Sequence, residues 1–340
     1  MLTSKLPRLG TTIFTRMSAL ASQNKALNLS QGFPDFDAPE ALLDAMARHV
    51  LAGHNQYAPM PGVSELREQI AQQLARHRAI HCDPESEITV VPGATEGIFC
   101  AVTACIRPGD EVIVFDPCYD CYEPAIELAG GRAIHIALDE HNFSIDWETV
   151  AAQISPRTRL IMVNSPHNPS GSTLSREDLL QLQALCEQHD LLVISDEVYE
   201  YLVFDDREHH SVLQFPGLRQ RSFALFSFGK TFSVTGWKTG YCIAPPALTG
   251  EFRKVHQFVT FVAVTPVQLA LADFMREDPD DPATLAAYYQ RKRDLFCNDL
   301  QTSRFSFTPS AGTYFQLLDY SAISTAADTQ LCEDWTQRHG

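Results

Sequence analysis

The stretch Ser227-Phe228-Gly229-Lys230-Thr231-Phe232-Ser233-Val234-Thr235-Gly236-Trp237-Lys238 places a lysine just where a buried strand is predicted to end. The apolar run 222–228 is short and is broken only by serines, which indicates such a strand. Ligands of open α/β sheets bind beyond the ends of strands. Partial desolvation and the nearby charge of Lys238 disfavour the charged form of Lys230, so its amine can react with a carbonyl group.

A phosphate group is a suitable anion for this region. The hydroxyl of Ser227 can donate a hydrogen bond, and Lys238 brings a positive charge. Ala94 and Thr95 open a predicted helix directly after the strand-like run 88–91. Small residues at a helix N-terminus let backbone N–H groups approach a phosphate, and the helix dipole favours its negative charge. We therefore predict phosphate contacts from both regions.

Strand-like and helix-like patterns alternate along the chain, which is typical of an α/β fold with a mostly parallel sheet. The segment 304–320 contains two further strand-like pieces and predicts a second, small sheet. The predicted strands cover 88–91, 111–115, 132–138, 159–163, 191–195 and 222–228. The predicted helices cover 41–51, 63–78, 94–106, 119–129, 175–189, 249–261, 266–276, 282–300 and 328–339.

Asp196 is the second residue that indicates chemistry, because it follows the buried run 191–195 directly. A carboxylate at such a place is costly unless it has a cationic partner. A pyridinium nitrogen would be one, and the ion pair would keep the ring protonated as an electron sink. The alternative is a helix N-cap. Tyr199, three residues on, can hydrogen-bond a phenolate and favour its charged form.

Several strings of the chain resemble one family. Ser227-x-x-Lys230 with Gly236-x-Lys238-x-Gly240-Tyr241 resembles the cofactor-lysine signature of the fold type I pyridoxal-phosphate aminotransferases, classes I and II. Gln31-Gly32-Phe33-Pro34-Asp35-Phe36 is similar to the substrate-side loop of the kynurenine and methionine aminotransferases. Asn164-x-Pro166-x-Asn168-Pro169 also matches the family. The nearest resemblance is to the bacterial methionine aminotransferases of the kynurenine-aminotransferase-like subgroup.

The resemblance implies a cofactor, pyridoxal 5′-phosphate, and a role for each matching residue. Lys230 would hold the cofactor and act as general base and acid, and Asp196 would face its ring nitrogen. Asn168 and Tyr199 would bind its phenolic oxygen, and Tyr119 would stack on its ring. The phosphate would be bound by Ala94, Thr95, Ser227 and Lys238, and by Tyr57 from the other subunit of a homodimer; the substrate would contact Gly32 and Phe33.

The resemblance also implies the domain organisation. It predicts the fold of the type I transferases: a large domain with a mostly parallel seven-stranded sheet between helices, and a smaller α+β domain. Residues 1–45 would form an N-terminal arm and part of the small domain, 46–290 the large domain, and 291–340 the small domain. We expect this last part to be C-terminally incomplete, because family members continue past the equivalent of Gly340. That continuation carries an arginine that binds the substrate's α-carboxylate.

The activity implied is transfer of the amino group of methionine or an aromatic amino acid to a 2-oxo acid by a ping-pong mechanism. A carbon–sulfur β-lyase is an alternative, because it uses the same cofactor residues. A non-catalytic regulator on this fold is disfavoured, because such proteins carry a basic helix-turn-helix domain.

Composition limits the partners. With 26 basic and 42 acidic residues the net charge is −16, which disfavours nucleic acid and anionic membranes. No window of about 18 apolar residues occurs. The nine cysteines are scattered, which indicates reduced thiols and a cytoplasmic protein. Cys118-x-x-Cys121 lacks a second pair at ligand spacing, so no metal site is expected.

Overall fold

The centre of the fold is a seven-stranded sheet with the strand order β1-β7-β6-β5-β4-β2-β3. The computed structural model describes residues 3–30, 32 and 34–339. Strand β7 is antiparallel to both of its neighbours, and the pairs β2–β3, β2–β4, β4–β5 and β5–β6 are parallel. The strands are β1 (Ile88–Val91), β2 (Glu111–Asp116), β3 (Arg132–Ala137), β4 (Thr158–Asn164), β5 (Leu192–Asp196), β6 (Ser222–Ser227) and β7 (Gly240–Ile243).

Helices cover both faces of this sheet. The first half of the chain contributes α1 (Ile13–Asn24), α2 (Glu40–Leu51), α3 (Ser64–Arg78), α4 (Ala94–Cys105), α5 (Tyr122–Leu128), α6 (Trp147–Gln153) and α7 (Arg176–His189). The second half contributes α8 (Pro216–Arg219), α9 (Phe228–Thr231), α10 (Pro246–Val259), α11 (Thr265–Glu277), α12 (Leu285–Leu300) and α13 (Asp328–His339). Short 3₁₀ turns lie at Val212–Gln214, Thr235–Trp237 and Asp281–Thr284.

The core forms two layers because successive side chains of each strand point to opposite faces of the sheet. In β6, Ala224 and Phe226 belong to one buried apolar cluster, which includes residues of α2, α3, α7 and α11. Phe223 and Leu225 belong to the other cluster, which includes residues of α4, α5 and α10. Strands that are buried on both faces read as continuous apolar runs, which is why the sequence identifies them.

Three predicted elements differ from the structure. Helix α5 begins at Tyr122 rather than at residue 119, because residues 119–122 form a turn in which the Tyr122 N–H donates to the Tyr119 carbonyl. Lys230 lies on the single-turn helix α9, one turn beyond the end of β6. The predicted small sheet at 304–320 is reduced, within the described residues, to isolated bridges. Part of that segment pairs instead with the chain at 202–204.

The predicted α/β fold with a mostly parallel seven-stranded sheet is confirmed. Helix α1 packs against α13, so the two ends of the described chain lie together. The division at residues 45 and 290 remains a prediction. Among the described residues, no helix has the length and apolar character needed to cross a membrane.

Helix α7 provides a test of local stability. Ser175 forms a capping box, because its hydroxyl accepts from the Asp178 N–H and the Asp178 carboxylate accepts from the Ser175 N–H. We expect Ser175→Ala to lower the free energy of unfolding by about 1 kcal/mol, since a backbone donor loses its partner. Denaturant titration measures this, and Ser22→Ala, on the exposed surface of α1, is the control. An equal effect of both substitutions would contradict the capping role.

Candidate active site

One cavity of about 500 Å³ lies at the end of the sheet where β4, β5 and β6 finish. Strand ends provide Asn164, Asp196 and Ser227, as expected for a ligand site in an open α/β sheet. Ten of the residues proposed from the sequence line this cavity: Gly32, Ala94, Thr95, Tyr119, Asn168, Asp196, Tyr199, Ser227, Lys230 and Lys238.

Lys230 is held by oxygen atoms and aromatic rings. Its Nζ donates to Tyr314 Oη at 2.6 Å and to the Gly32 carbonyl at 3.3 Å, and Tyr314 Oη donates to the same carbonyl at 2.8 Å. Nζ also lies 5.5 Å from the centroid of the Tyr199 ring. Burial, assisted by the charge of Lys238, lowers the pKa of Lys230 to about 8, and Asp196 opposes this shift. A substantial fraction of the amine is therefore neutral near physiological pH.

Asp196 is 4% exposed and ends β5. Its Oδ2 accepts from the Tyr122 hydroxyl at 2.7 Å. Burial raises the pKa of Asp196 to about 6, and the hydrogen bond from Tyr122 opposes that rise. Asn164 fixes the backbone beside it, because Asn164 Nδ2 donates to the Asp196 carbonyl at 2.8 Å and Asn164 Oδ1 accepts from the Asn168 N–H at 2.7 Å. The carboxylate is therefore positioned for a cationic partner inside the cavity.

The phosphate corner is formed by the start of α4. Gly93 precedes the helix with φ +82, and a Cβ at this position would lie 3.4 Å from Lys238 Nζ. A helix N-terminus carries a partial positive charge, so a lysine beside it is unfavourable unless an anion binds between them. Ser227 and Thr95 line the same cavity. This arrangement of donors is suited to a phosphate group.

The aromatic residues that line the cavity include Tyr119, Tyr199 and Phe315. Tyr199 contacts Tyr314 edge-on, with ring centroids 5.4 Å apart, and Phe315 at 6.0 Å. Tyr119 lies edge-on to Tyr122 at 5.9 Å. Burial raises the pKa of both Tyr199 and Tyr314 well above the usual value of a tyrosine, so both hydroxyls remain protonated.

The sequence reasoning missed the tyrosines that bond Lys230 and Asp196, and also the apolar lining residues Phe14, Ile98, Val198 and Phe315. Tyr314 binds Lys230 but comes from a segment 84 residues later, and no local pattern marks it. Tyr122 supports Asp196 across 74 residues of chain. Their positions depend on how the chain packs, although the aromatic string 314–315 offers a weak signal.

Two predicted residues are not seen in the cavity of this chain. Tyr57 does not line it: the side chain is 83% exposed and contacts Phe261 edge-on, with ring centroids 5.4 Å apart. Its assignment to the cavity of another subunit remains a proposal. Phe33 lies outside the described residues.

The family model for aminotransferase class I and II matches residues 24–340. The chain belongs to this family. Its aminotransferase relatives include the methionine aminotransferase of Escherichia coli K12, which is 52% identical over 337 residues, 99% of this chain and 87% of its own length. A kynurenine–oxoglutarate transaminase of Dictyostelium discoideum is 36% identical over 339 residues, 94% of this chain and 78% of its own.

A solved structure agrees with these relatives. The crystal structure of an Escherichia coli protein with a methionine aminotransferase function matches this aminotransferase with a TM-score of 0.97 at 52% identity. The match covers 100% of this chain and 89% of that one. The predicted fold type, the transaminase activity and the dependence on pyridoxal phosphate are therefore confirmed.

The donor set of the cavity fits the cofactor. A phosphate needs donors and positive charge, which the start of α4, Ser227 and Lys238 provide. A protonated ring nitrogen needs a carboxylate, and Asp196 is the buried one that lines the cavity. A reactive carbonyl carbon needs a neutral amine, which the lowered pKa of Lys230 makes available.

The Tyr122 hydroxyl gives a pH test of the Asp196 site. It stabilises the charged carboxylate, so Tyr122→Phe raises the pKa of Asp196 further above about 6. The carboxylate is ionised only above its pKa. As the pH is lowered, the variant should therefore lose activity at a higher pH than the wild type does. We expect the acidic limb of log kcat/KM to move upward by about one pH unit, the value of one charged hydrogen bond.

The matched control is Tyr320→Phe, which removes a hydroxyl bonded to the Ala326 carbonyl and does not alter the cavity lining. Its acidic limb should coincide with that of the wild type. An unmoved limb in Tyr122→Phe would show that Asp196 does not control this part of the profile.

Proposed function

We propose that this aminotransferase transfers the amino group of methionine, or of an aromatic amino acid, to a 2-oxo acid by a ping-pong mechanism. The observation that carries the proposal is Lys230: a partly neutral amine, bonded to Tyr314 at 2.6 Å, in the same cavity as the buried Asp196. The names of the Escherichia coli and Dictyostelium relatives support this substrate class.

The lining of the cavity supports an apolar substrate side chain. Phe14, Ile98 and Phe315 line it together with Val198. Apolar walls bind a thioether or an aromatic ring by burial, and sulfur makes favourable contacts with aromatic rings. The Gly32 backbone packs so closely on Tyr314 and Phe315 that a Cβ there would lie 2.6 Å from both rings. We assign Gly32 to the substrate side of the cavity.

The mechanism assigns a task to each side chain. Bound pyridoxal phosphate supplies an electrophilic carbon for amines and a ring that withdraws electrons from the substrate Cα–H bond. The Lys230 Nζ then takes the Cα proton as general base and later returns a proton as general acid. Asp196 stabilises positive charge at the ring nitrogen. Tyr314 orients the lysine amine, and Tyr119 stacks on the ring.

Other residues bind and position. Ser227, Lys238 and the backbone of Ala94 and Thr95 bind the phosphate, and Asn168 and Tyr199 bind the phenolic oxygen. Tyr314 and Tyr199 also cover the amine and reduce its contact with water. The nine free thiols support a reducing compartment such as the cytoplasm.

We propose that Tyr57 binds the phosphate of the cofactor that is held by the other subunit of a homodimer. The support is an exposed apolar surface: the side chains of Tyr57, Phe258 and Val264 are 83%, 89% and 56% exposed. Large exposed apolar residues in one region indicate an interface, and a two-fold dimer would bring each Tyr57 to its partner's cavity.

The first experiment follows the cofactor spectrum. Adding methionine without a 2-oxo acid should convert the visible band of the bound cofactor to the pyridoxamine form and release one equivalent of 2-oxo acid. Lys230→Ala should lower the rate of this conversion by about 10²- to 10⁴-fold, because the general base is lost. Turnover near that of the wild type would exclude Lys230 as the base.

Substrate class and reaction type need separate controls. Phenylalanine and aspartate are compared with methionine as amino donors. An apolar pocket should favour phenylalanine over aspartate. Lys254→Ala, which removes a surface lysine paired with Glu251, should have no effect. Pyruvate and ammonia from a cysteine conjugate, in place of amino-group transfer, would identify a carbon–sulfur lyase.

Hybrid dimers test the role of Tyr57. Chains carrying Lys230→Ala and chains carrying Tyr57→Phe are unfolded and refolded together, and the hybrid is isolated with two different tags. One cavity of the hybrid then combines an intact Lys230 with an intact Tyr57 from the partner. We expect that hybrid to bind cofactor phosphate as tightly as one wild-type site, and the Tyr57→Phe homodimer to bind about tenfold more weakly, the loss of one charged hydrogen bond.

The cofactor affinity of the hybrid distinguishes a Tyr57 that acts on the partner subunit from one that acts within its own chain. A Tyr57 acting within its own chain would leave the hybrid's only intact lysine beside a phenylalanine, so its cofactor affinity would equal that of the Tyr57→Phe homodimer. A monomeric wild type by light scattering would also reject the proposal.

A further inference from the structure

A second group of reactive side chains lies between α4 and α10, outside the active-site cavity. Glu96 and Cys100 are one helical turn apart on α4, and His256 projects from α10. Glu96 Oε1 lies 2.8 Å from His256 Nδ1 and 3.1 Å from Cys100 Sγ. Thr260 Oγ1 lies 3.5 Å from the same oxygen. One ligand atom from each of Glu96, Cys100 and His256 lies within 4.8 Å of the others.

The donor types and spacing suit a transition metal. Thiolate, imidazole and carboxylate are the ligands that zinc-type ions use, whereas Mg²⁺ and Ca²⁺ prefer oxygen alone. Bond lengths of about 2.0–2.3 Å in a tetrahedral site put the ligand atoms roughly 3.3–3.8 Å apart. The observed separations of 2.8 and 3.1 Å need to widen by only about half an ångström to reach that range.

The hydrogen bonding of the cluster is incomplete. Glu96 Oε2 is buried and has no hydrogen-bond partner among the described residues, although Oε1 of the same carboxylate is shared by three groups. The His256 side chain is fully buried. A buried carboxylate oxygen without a partner is costly, and a cation bound to the carboxylate would remove that cost.

We propose that Glu96, Cys100 and His256 bind one divalent transition-metal ion of the zinc type. Water fills the fourth position, beside the Thr260 hydroxyl. On binding, Cys100 becomes a thiolate and its proton passes to solvent, so no oxidant or reductant is needed. The ion connects α4 to α10 directly behind Thr95.

The position gives the ion a structural role beside the active site. Glu96 lies in the first turn of α4, next to the proposed phosphate contacts at Ala94 and Thr95. Its negative charge opposes a phosphate there, and a bound dication removes that effect, because its two positive charges balance the Glu96 carboxylate and the Cys100 thiolate. The metal therefore stabilises the start of α4 and the folded protein.

A second cluster of the chain supplies a matched control. Asp116, Cys118 and His135 also lie within 4.8 Å of one another. Their carboxylate and imidazole side chains are 44% and 35% exposed, and His135 is already paired with Asp116 at 3.0 Å and faces Glu123 at 3.7 Å. No atom of this cluster is buried without a hydrogen-bond partner among the described residues.

The test uses tag-free, cofactor-loaded protein stripped with a chelator and titrated with Co²⁺, whose tetrahedral d–d bands lie to the red of the cofactor absorbance. We expect one Co²⁺ per chain, displaced by Zn²⁺, and a higher Tm with metal. Cys100→Ser keeps a hydroxyl for Glu96 and should weaken binding at least tenfold. His256→Gln tests the second ligand, and Cys118→Ser should bind like the wild type.

Three results would reject the metal site or assign the metal elsewhere. Absence of tetrahedral bands in the wild type, or unchanged affinity in Cys100→Ser, rejects the site. Loss of binding in Cys118→Ser with retention in Cys100→Ser assigns the metal to the exposed cluster and also rejects it. If His256→Gln fails to fold, the test depends on Cys100→Ser. That substitution preserves the size of the side chain, and circular dichroism checks that the Cys100→Ser variant is folded.

Discussion

Two desolvated groups of opposite charge, Lys230 and Asp196, determine the organisation of this molecule. Asp196 ends β5 and Lys230 lies one turn beyond the end of β6; burial shifts the pKa of each side chain in favour of its neutral form, to about 6 and about 8. Each has its own tyrosine partner: the amine donates to the Tyr314 hydroxyl, and the carboxylate accepts from the Tyr122 hydroxyl. The cost of that arrangement is recovered when a cofactor with a cationic ring and a reactive carbonyl binds between them.

The topology of the sheet brings these two groups together. Strands β5 and β6 are adjacent and parallel, so their carboxyl ends open on the same edge of the sheet. Both are buried on two faces by separate apolar clusters, which fixes their register and hence the positions of the groups that follow them. Rigid strands below and short turns above therefore hold the reactive groups with little freedom, which is the geometry that proton transfer requires.

Much of this could be predicted from the sequence, because the signals are local. Buried strands are continuous apolar runs, and the residue that follows each one is placed at the edge of the sheet, which identified Asp196 and, within one turn, Lys230. The capping box at Ser175 is likewise local. What could not be predicted depends on contacts between distant segments. Tyr122 and Tyr314 act through hydrogen bonds that span 74 and 84 residues, and part of the strand-like segment 304–320, residues 311–313, bonds to residues 202–204.

The same distinction between local and distant contacts explains the substrate side of the cavity. The residues that we propose for cofactor binding come from strand ends and the turns beside them, whereas Phe14, Gly32 and Phe315 come from the N-terminal arm and from the last third of the chain. These segments are joined to the sheet through the Lys230 amine, which bonds both the Gly32 carbonyl and the Tyr314 hydroxyl. Tyr314 Oη also donates directly to the Gly32 carbonyl, so the arm and the last third of the chain share a contact that does not pass through the amine. The walls on the substrate side therefore remain joined to each other whichever partner the amine has.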